Sequence, residues 1–194
     1  MLGRQAKTLT NSQVRTVLLH LDGTRNPVRN RLIFLLSVKA GLRAKEISQL
    51  TWRMVTDAQG EITKEIRIEN VAAKGNSGGV IAINTELAEA LKQWRKSCWV
   101  LDGNSRVIHT ERTKSTSAPV IVNLFRDWYL ALGFEGCSSH SGRRTFITNA
   151  ARKISLVGGS LRDVQALARH SSLSMTQRYI EADVDAQRKV VELI

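Results

Sequence analysis

Residues 52–83, WRMVTDAQGEITKEIRIENVAAKGNSGGVIAI, read as β-structure in a chain that otherwise reads as helix. β-branched residues are frequent there, and EIRIEN alternates apolar and polar with the period of two that sends successive side chains to opposite faces. Breaks at Asp57–Gly60 and Lys74–Gly79 supply turn residues, so the block predicts a small antiparallel sheet of about three strands. Helical periodicity surrounds it. TLTNSQVRTVLLHLDG (8–23) offers an N-cap among Thr10, Asn11 and Ser12 and a stop at Gly23; NPVRNRLIFLLSVKAG (26–41) has Pro27 in its first turn and ends on Gly41. A short helix over 44–50 follows. After the sheet, helices are predicted over 85–99, 117–133, 140–153, 160–170, 174–181 and 184–193. The order gives an α+β fold: one mostly helical domain over residues 1–182 with the sheet inserted early, followed by a tail helix over 183–194.

A chain of 194 residues, 42% hydrophobic, can bury one substantial core. Its longest apolar run, within RLIFLLSVKAG (31–41), is too short to span a bilayer, and MLGRQAKTLTNSQ lacks the apolar block of a secretion signal. Cys98 and Cys137 make no disulfide framework, and with the four histidines they form no zinc-ligand spacing. A reducing, cytoplasmic home without metal or cofactor is therefore expected. Charge narrows the partner. The formal net charge is +12, and residues 140–179 hold seven Lys/Arg against the single acid Asp163. Such a local surplus suits a polyanion, most simply a nucleic-acid backbone, although a generically basic surface is the plainer alternative.

Four short stretches could carry chemistry. GLRAKEISQL (41–50) sets Arg43 after a glycine break at a helix start, where a guanidinium can grip two phosphate oxygens; a simple Arg43–Glu46 pair at i,i+3 is the ordinary alternative. AAKGNSGG (72–79) places Lys74 and Asn76 on a glycine-rich hairpin tip and lacks the pattern of a P-loop. HSGRR (140–144) follows Ser138 and Ser139, two N-cap candidates that would put His140 and Arg143 on one face of a first helical turn, with Arg144 beside them. ARHSSLSMTQRYI (168–180) holds His170 nine residues before Tyr179, with Arg169 and Arg178 as further basic groups. Tyrosine on a helical segment is more often a half-buried anchor than a nucleophile, but the polar, basic surroundings of Tyr179 would favour its phenolate.

In this order the stretches resemble the boxes of the tyrosine recombinases, the phage-integrase family of site-specific DNA recombinases, over about residues 10 to 182. GLRAKEISQLTW looks like the first-arginine box, K-G-N like the lysine turn, HSGRRTF like the H-x-x-R box, and ARHSSLSMTQRYI like the final box. The resemblance implies the family's catalytic-domain fold and a reaction in which Tyr179 attacks a scissile DNA phosphate, leaving a 3′-phosphotyrosyl link and a free 5′-hydroxyl. It implies that Arg43 and Arg143 clamp the phosphate, Lys74 protonates the leaving oxygen, His140 assists as base and His170 hydrogen-bonds the phosphate, with Glu46 behind Arg43. Arg144, Arg169, Arg178 and Asn76 become candidates for DNA contact. Double-stranded DNA is the implied partner, with a homo-tetramer on DNA, a monomer or weak oligomer without it, and a nucleoid-associated location when bound.

Three departures from the family's pattern stand out: Ala168-Arg169 where Leu-Gly is usual, Gly142 where a larger apolar residue is usual, and a long segment at 153–164. Gly142 is expected to loosen the packing of its turn. Only about ten residues precede the first predicted helix, which suits either a compact single-domain member or an excised catalytic piece. The alternatives to a recombinase are a catalytically silent DNA-binding regulator or excision accessory of the same fold, and a type IB topoisomerase. The tail DVDAQRKVVELI either docks on a neighbouring subunit or folds back on its own core.

Overall fold

The helix predicted over 26–41 becomes the centre of the molecule. In the computed structural model, which describes residues 5–70, 72, 78–98, 102–180 and 191–192, helix α2 (Pro27–Ala40) buries every residue from Leu32 to Val38. Its apolar residues are spread around its circumference, and such a helix belongs inside a layer of others. Helix α1 (Asn11–Asp22) packs on it, opened by a capping box in which Thr10 and Gln13 each accept the other's backbone N–H. Helix α3 (Ala44–Gln49) follows the left-handed turn at Gly41. Helices α4 (Thr85–Lys96) and α6 (Ser141–Lys153) flank α2, while α5 (Ala118–Ala131) covers α3. Helices α7 (Leu161–Ala168) and α8 (Leu173–Gln177) pack on each other beyond α6.

The sheet is smaller than expected. Strands β1 (Glu65–Ile68) and β2 (Gly79–Ala82) pair antiparallel, with Ile66 opposite Ile81, and form a two-stranded sheet. The third strand predicted near residue 52 is replaced by a single 3-10 turn, Trp52–Met54. Its backbone is already engaged elsewhere: Trp52 N–H donates to Ser105 O (3.1 Å) and Arg53 N–H to Gly103 O (2.8 Å). Asp57 then closes the following turn, its Oδ1 accepting from the N–H of Gln59 and Glu61. Only an isolated bridge, Thr56 to Ile62, remains of that hairpin.

Two apolar clusters result. The larger gathers α1 to α5 and the sheet, with Phe34, Ile47, Ile66 and Phe125 fully enclosed. The smaller consists of Ile147, Val164 and Ala168, with Phe146, Leu161 and Tyr179 partly buried against it. The long segment at 153–164 forms a 3-10 turn (Ile154–Val157) and a left-handed Gly158, leaving Leu156 and Val157 exposed. Apart from residues 191 and 192, the tail helix expected over 184–193 lies outside the described residues.

Candidate active site

The first part of the site is built where α2 turns into α3. Gly41 ends α2 with φ 65°, and a Cβ there would stand 2.6 Å from Phe146 Cδ1, so both backbone and packing require glycine. Two residues later Arg43 caps α3. Its N–H donates to Glu46 Oε2 (2.8 Å), and its Nη1 to Glu46 Oε1 (2.9 Å). Glu46 is fully buried, and Arg169 Nη2 also reaches its Oε2 (2.8 Å). Burial pushes the carboxyl of Glu46 up, but the hydrogen bonds and charges of Arg169 and Arg43 outweigh it and hold Glu46 below its ordinary value. The plain i,i+3 pair is therefore present, and it is one side of a three-residue arrangement.

The second part is the start of α6. His140 is the N-cap residue, so α6 starts later than the expected caps Ser138 and Ser139; Ser138 uses its hydroxyl on the His140 N–H and its own N–H on Ser141 Oγ. Arg143 lies in the first turn and is 4% exposed. Its Nη1 donates to Gly41 O (2.7 Å) and its Nη2 to Ala168 O (2.5 Å). Gly142 does not loosen this turn. A Cβ on Gly142 would meet Ser37 Oγ at 2.3 Å and Ser37 Cβ at 2.9 Å. The missing side chain lets α6 approach α2 closely, which brings Arg143 within reach of Gly41.

The third part follows α7. Arg169 closes that helix in the left-handed region (φ 53°), a conformation costing a non-glycine residue about 1 kcal/mol. Its side chain was expected to face DNA, but it turns inward to Glu46 and is 5% exposed. His170 follows, buried, with its Nδ1 3.0 Å from the Thr176 hydroxyl on α8. Its imidazole is pushed down to about 4, first by burial and then by Arg143, Arg43 and Arg169. Tyr179 stands half-buried just past α8, its ring stacked on His170 with centroids 5.4 Å apart. The Arg144 guanidinium lies 5.8 Å from the centre of the Tyr179 ring, and Arg144 Nη1 also contacts Gln5 Oε1. Thr148 Oγ1 donates to Tyr179 O (3.2 Å), tying the tyrosine backbone to α6.

These parts converge on one open cavity of about 300 Å³ lined by Arg43, His140, Arg143, His170 and Tyr179, with Arg144 and Arg178 at its walls. Lys74 and Asn76 lie outside the described residues. Gln5, Met175 and Thr176 were not anticipated: the first two line the cavity and the third holds His170. Thr176 sits six residues after His170 in a stretch rich in hydroxyls, so no local signal distinguishes it. Electrostatically the site is unbalanced. Arg43, Arg143 and Arg169 surround the single carboxylate of Glu46, and burial with the nearby Arg43 lowers Arg143 to about 10. Desolvated guanidiniums in excess of carboxylates call for an anion, and each Arg143 terminal nitrogen still has an N–H to offer.

The phage integrase family's profile matches residues 7–185. The tyrosine recombinase XerA of Thermococcus onnurineus is 29% identical over 190 residues, covering 96% of this chain and 62% of that protein. The tyrosine recombinase XerC of Rhizobium meliloti is 28% identical over 157 residues, covering 80% of this chain and 46% of the relative. The chain thus spans less than two thirds of the length of these relatives. In fold it matches the Tn1549 transposon integrase, solved in complex with a circular intermediate DNA, with a TM-score of 0.77 at 19% identity over 96% of this chain and 65% of that one. No described helix is long and apolar enough to cross a membrane. With the family profile spanning nearly all of the chain and three of the four ordered boxes meeting in one cavity, the protein belongs to the phage integrase family.

Proposed function

We propose that this chain is the strand-cleaving part of a site-specific DNA recombinase, with Tyr179 as nucleophile. The observation that carries the reading is the cavity: residues far apart in sequence line one space, with Tyr179 sharing it with the buried Arg143 and the half-buried Arg43. The phenolic oxygen of Tyr179 attacks the phosphorus of a phosphodiester, and the bond to the 5′ oxygen breaks. The products are a 3′-phosphotyrosyl link and a 5′-hydroxyl. His140 takes the phenolic proton, and Lys74 supplies a proton to the departing oxygen. Arg43 and Arg143 hold the non-bridging oxygens and offset charge that grows in the transition state. If Thr176 donates to Nδ1 of His170, Nε2 carries the proton and donates to the phosphate as a neutral group. Attack by another strand's 5′-hydroxyl reverses the step, so bond energy is kept without ATP.

Double-stranded DNA is the proposed substrate, with residues 1–182 as the cleaving domain. Strand exchange takes place within a homo-tetramer, where the tail over 183–194 docks on a neighbouring subunit. The chemistry is tested with nicked duplex DNA carrying the sequences that flank the chain's own gene, followed by denaturing electrophoresis. The expected result is a covalent protein–DNA band that survives EDTA and is absent in Tyr179→Phe. No band from the unaltered protein, or a band that persists in Tyr179→Phe, overturns the reading.

A further inference from the structure

Arg169 is the one non-glycine residue with positive φ among the described residues. Its N–H closes α7 by donating to the carbonyls of Gln165 and Ala166, work that glycine does with less strain. The backbone therefore gives no reason for arginine. The side chain does. It runs inward at 5% exposure, and its Nη2 meets the fully buried Glu46 at 2.8 Å. The same carboxylate holds Arg43 by both its N–H and its Nη1. The aliphatic stem of Arg169 crosses β2 at Gly79, where an added Cβ would stand 3.2 Å from Cδ and 3.4 Å from Cγ. Arg43, Arg143, Arg144 and Arg178 line the cavity, and Arg169 does not.

We infer that Arg169 is a positioning residue: it fixes the Glu46 carboxylate, and through it the Arg43 guanidinium at the cavity, while its stem sets α7 against β2. A neutral or mobile Glu46 would leave Arg43 with no fixed partner, and a misplaced clamp costs rate rather than binding. The consequence for rate rests on the strand-cleaving reading above; the link from Arg169 to Arg43 does not.

The test compares Arg169→Gly, Arg169→Lys, Glu46→Gln and the double change Arg169→Gly/Glu46→Gln. Three quantities are measured: adduct formation on the nicked duplex at saturating protein, DNA affinity against salt, and the NMR signal of the Arg43 guanidinium in the free protein. Arg169→Gly is expected to slow adduct formation by about ten- to a hundredfold. DNA affinity and its salt slope stay as in the unaltered protein, the Arg43 signal shifts, and Arg169→Lys recovers part of the rate. Glu46→Gln slows the reaction similarly, and adding Arg169→Gly to it costs little more. A salt slope reduced by about one makes Arg169 a phosphate contact and overturns the inference. An unaltered rate in Arg169→Gly makes it a helix terminator and does the same. Should the unaltered protein form no adduct, the strand-cleaving reading falls, and the Arg43 signal alone decides the positioning role: shifted upholds it, unmoved overturns it. Should Arg169→Gly not fold, Arg169→Lys and Gly79→Ala, which crowds the stem, are judged by the same Arg43 signal.

Discussion

The two apolar clusters are held together by different means. The larger closes around α2 with side chains such as Phe34, Leu35 and Leu36 at zero exposure. The smaller has three buried apolar residues, Ile147, Val164 and Ala168, and carries His170 and Tyr179. Besides the close packing of α6 on α2 at Gly142 and Phe146, two arginines join it to the larger cluster: Arg143 spans from Gly41 O to Ala168 O, and Arg169 from α7 to Glu46. The anion-facing groups therefore sit in the seam between a rigid body and a lighter one. Fixed arginines can wait in the low-dielectric seam without reorganising. The tyrosine stands on the lighter side, beyond a helix of five residues, where small movements cost little.

Cutting the seam should have the largest effect. Arg143→Ala removes both hydrogen bonds and strands the buried carbonyls of Gly41 and Ala168, a penalty of about 1–3 kcal/mol for each. Relief of repulsion with Arg43 and Arg169 offsets part of this, so a net destabilisation of about 2–4 kcal/mol is expected. Urea unfolding measures it, and hydrogen exchange locates it: amides of α7 and α8 should lose protection before those of α2. Adduct formation should vanish. Arg143→Lys keeps a charge yet cannot span two carbonyls, and should recover less than half of the lost stability. Uniform loss of protection across both clusters would show that the seam is not the weaker place.

A smaller effect is expected from closing the gap that sets the seam's width. Gly142→Ala drives a Cβ to 2.3 Å from Ser37 Oγ and 3.2 Å from the Ser37 carbonyl carbon, so α6 must retreat from α2. Overpacking costs about 1–3 kcal/mol, and the gain in helix propensity returns at most about 1 kcal/mol. Ser37 Oγ is buried with no hydrogen-bond partner among the described residues. Ser37→Ala alone should therefore be neutral or slightly stabilising, and combined with Gly142→Ala it should recover part of the loss. Thermal unfolding of the two single variants and the double reads this as a non-additive pair. Additive losses would mean that the two helices do not meet at this point.

The larger cluster is the part legible in the sequence. The caps at Thr10, Pro27 and Gly41 mark helix ends by local chemistry, and those ends fall where expected. Arg43, His140, Arg143, His170 and Tyr179 stand out because the order of their stretches resembles the family's boxes, each signal being modest alone, and the structure brings them together. The seam was not legible, since its geometry comes from contacts between distant segments. Nothing around Gly142 announces Ser37, more than a hundred residues earlier. Nothing around Arg169 announces Glu46, so a basic residue in a basic stretch reads as surface charge. The missing third strand has the same origin. Residues 52 and 53 have a strand-like composition, but residues 103–105 take their backbone donors first.

The smallest expected effect separates the two sides of the seam by pH. His170 belongs to the lighter side and faces Arg143, Arg43 and Arg169 across it; burial and these charges bring it down to about 4 from an ordinary 6.5. Between those values the unfolded chain binds a proton that the folded chain does not, so stability rises with pH through the window and is complete above it. Acidification from pH 7 should therefore weaken the fold progressively toward pH 4, the ring charging only at the lower end of that range. Urea midpoints at pH 7, 5.5 and 4.5 measure the trend, and His170→Gln should flatten its share while the carboxylate share persists. An imidazole NMR titration supplies the independent check. A His170 transition near 6.5 would mean that the three arginines do not act on the ring, and that the seam is open to solvent on the tyrosine side.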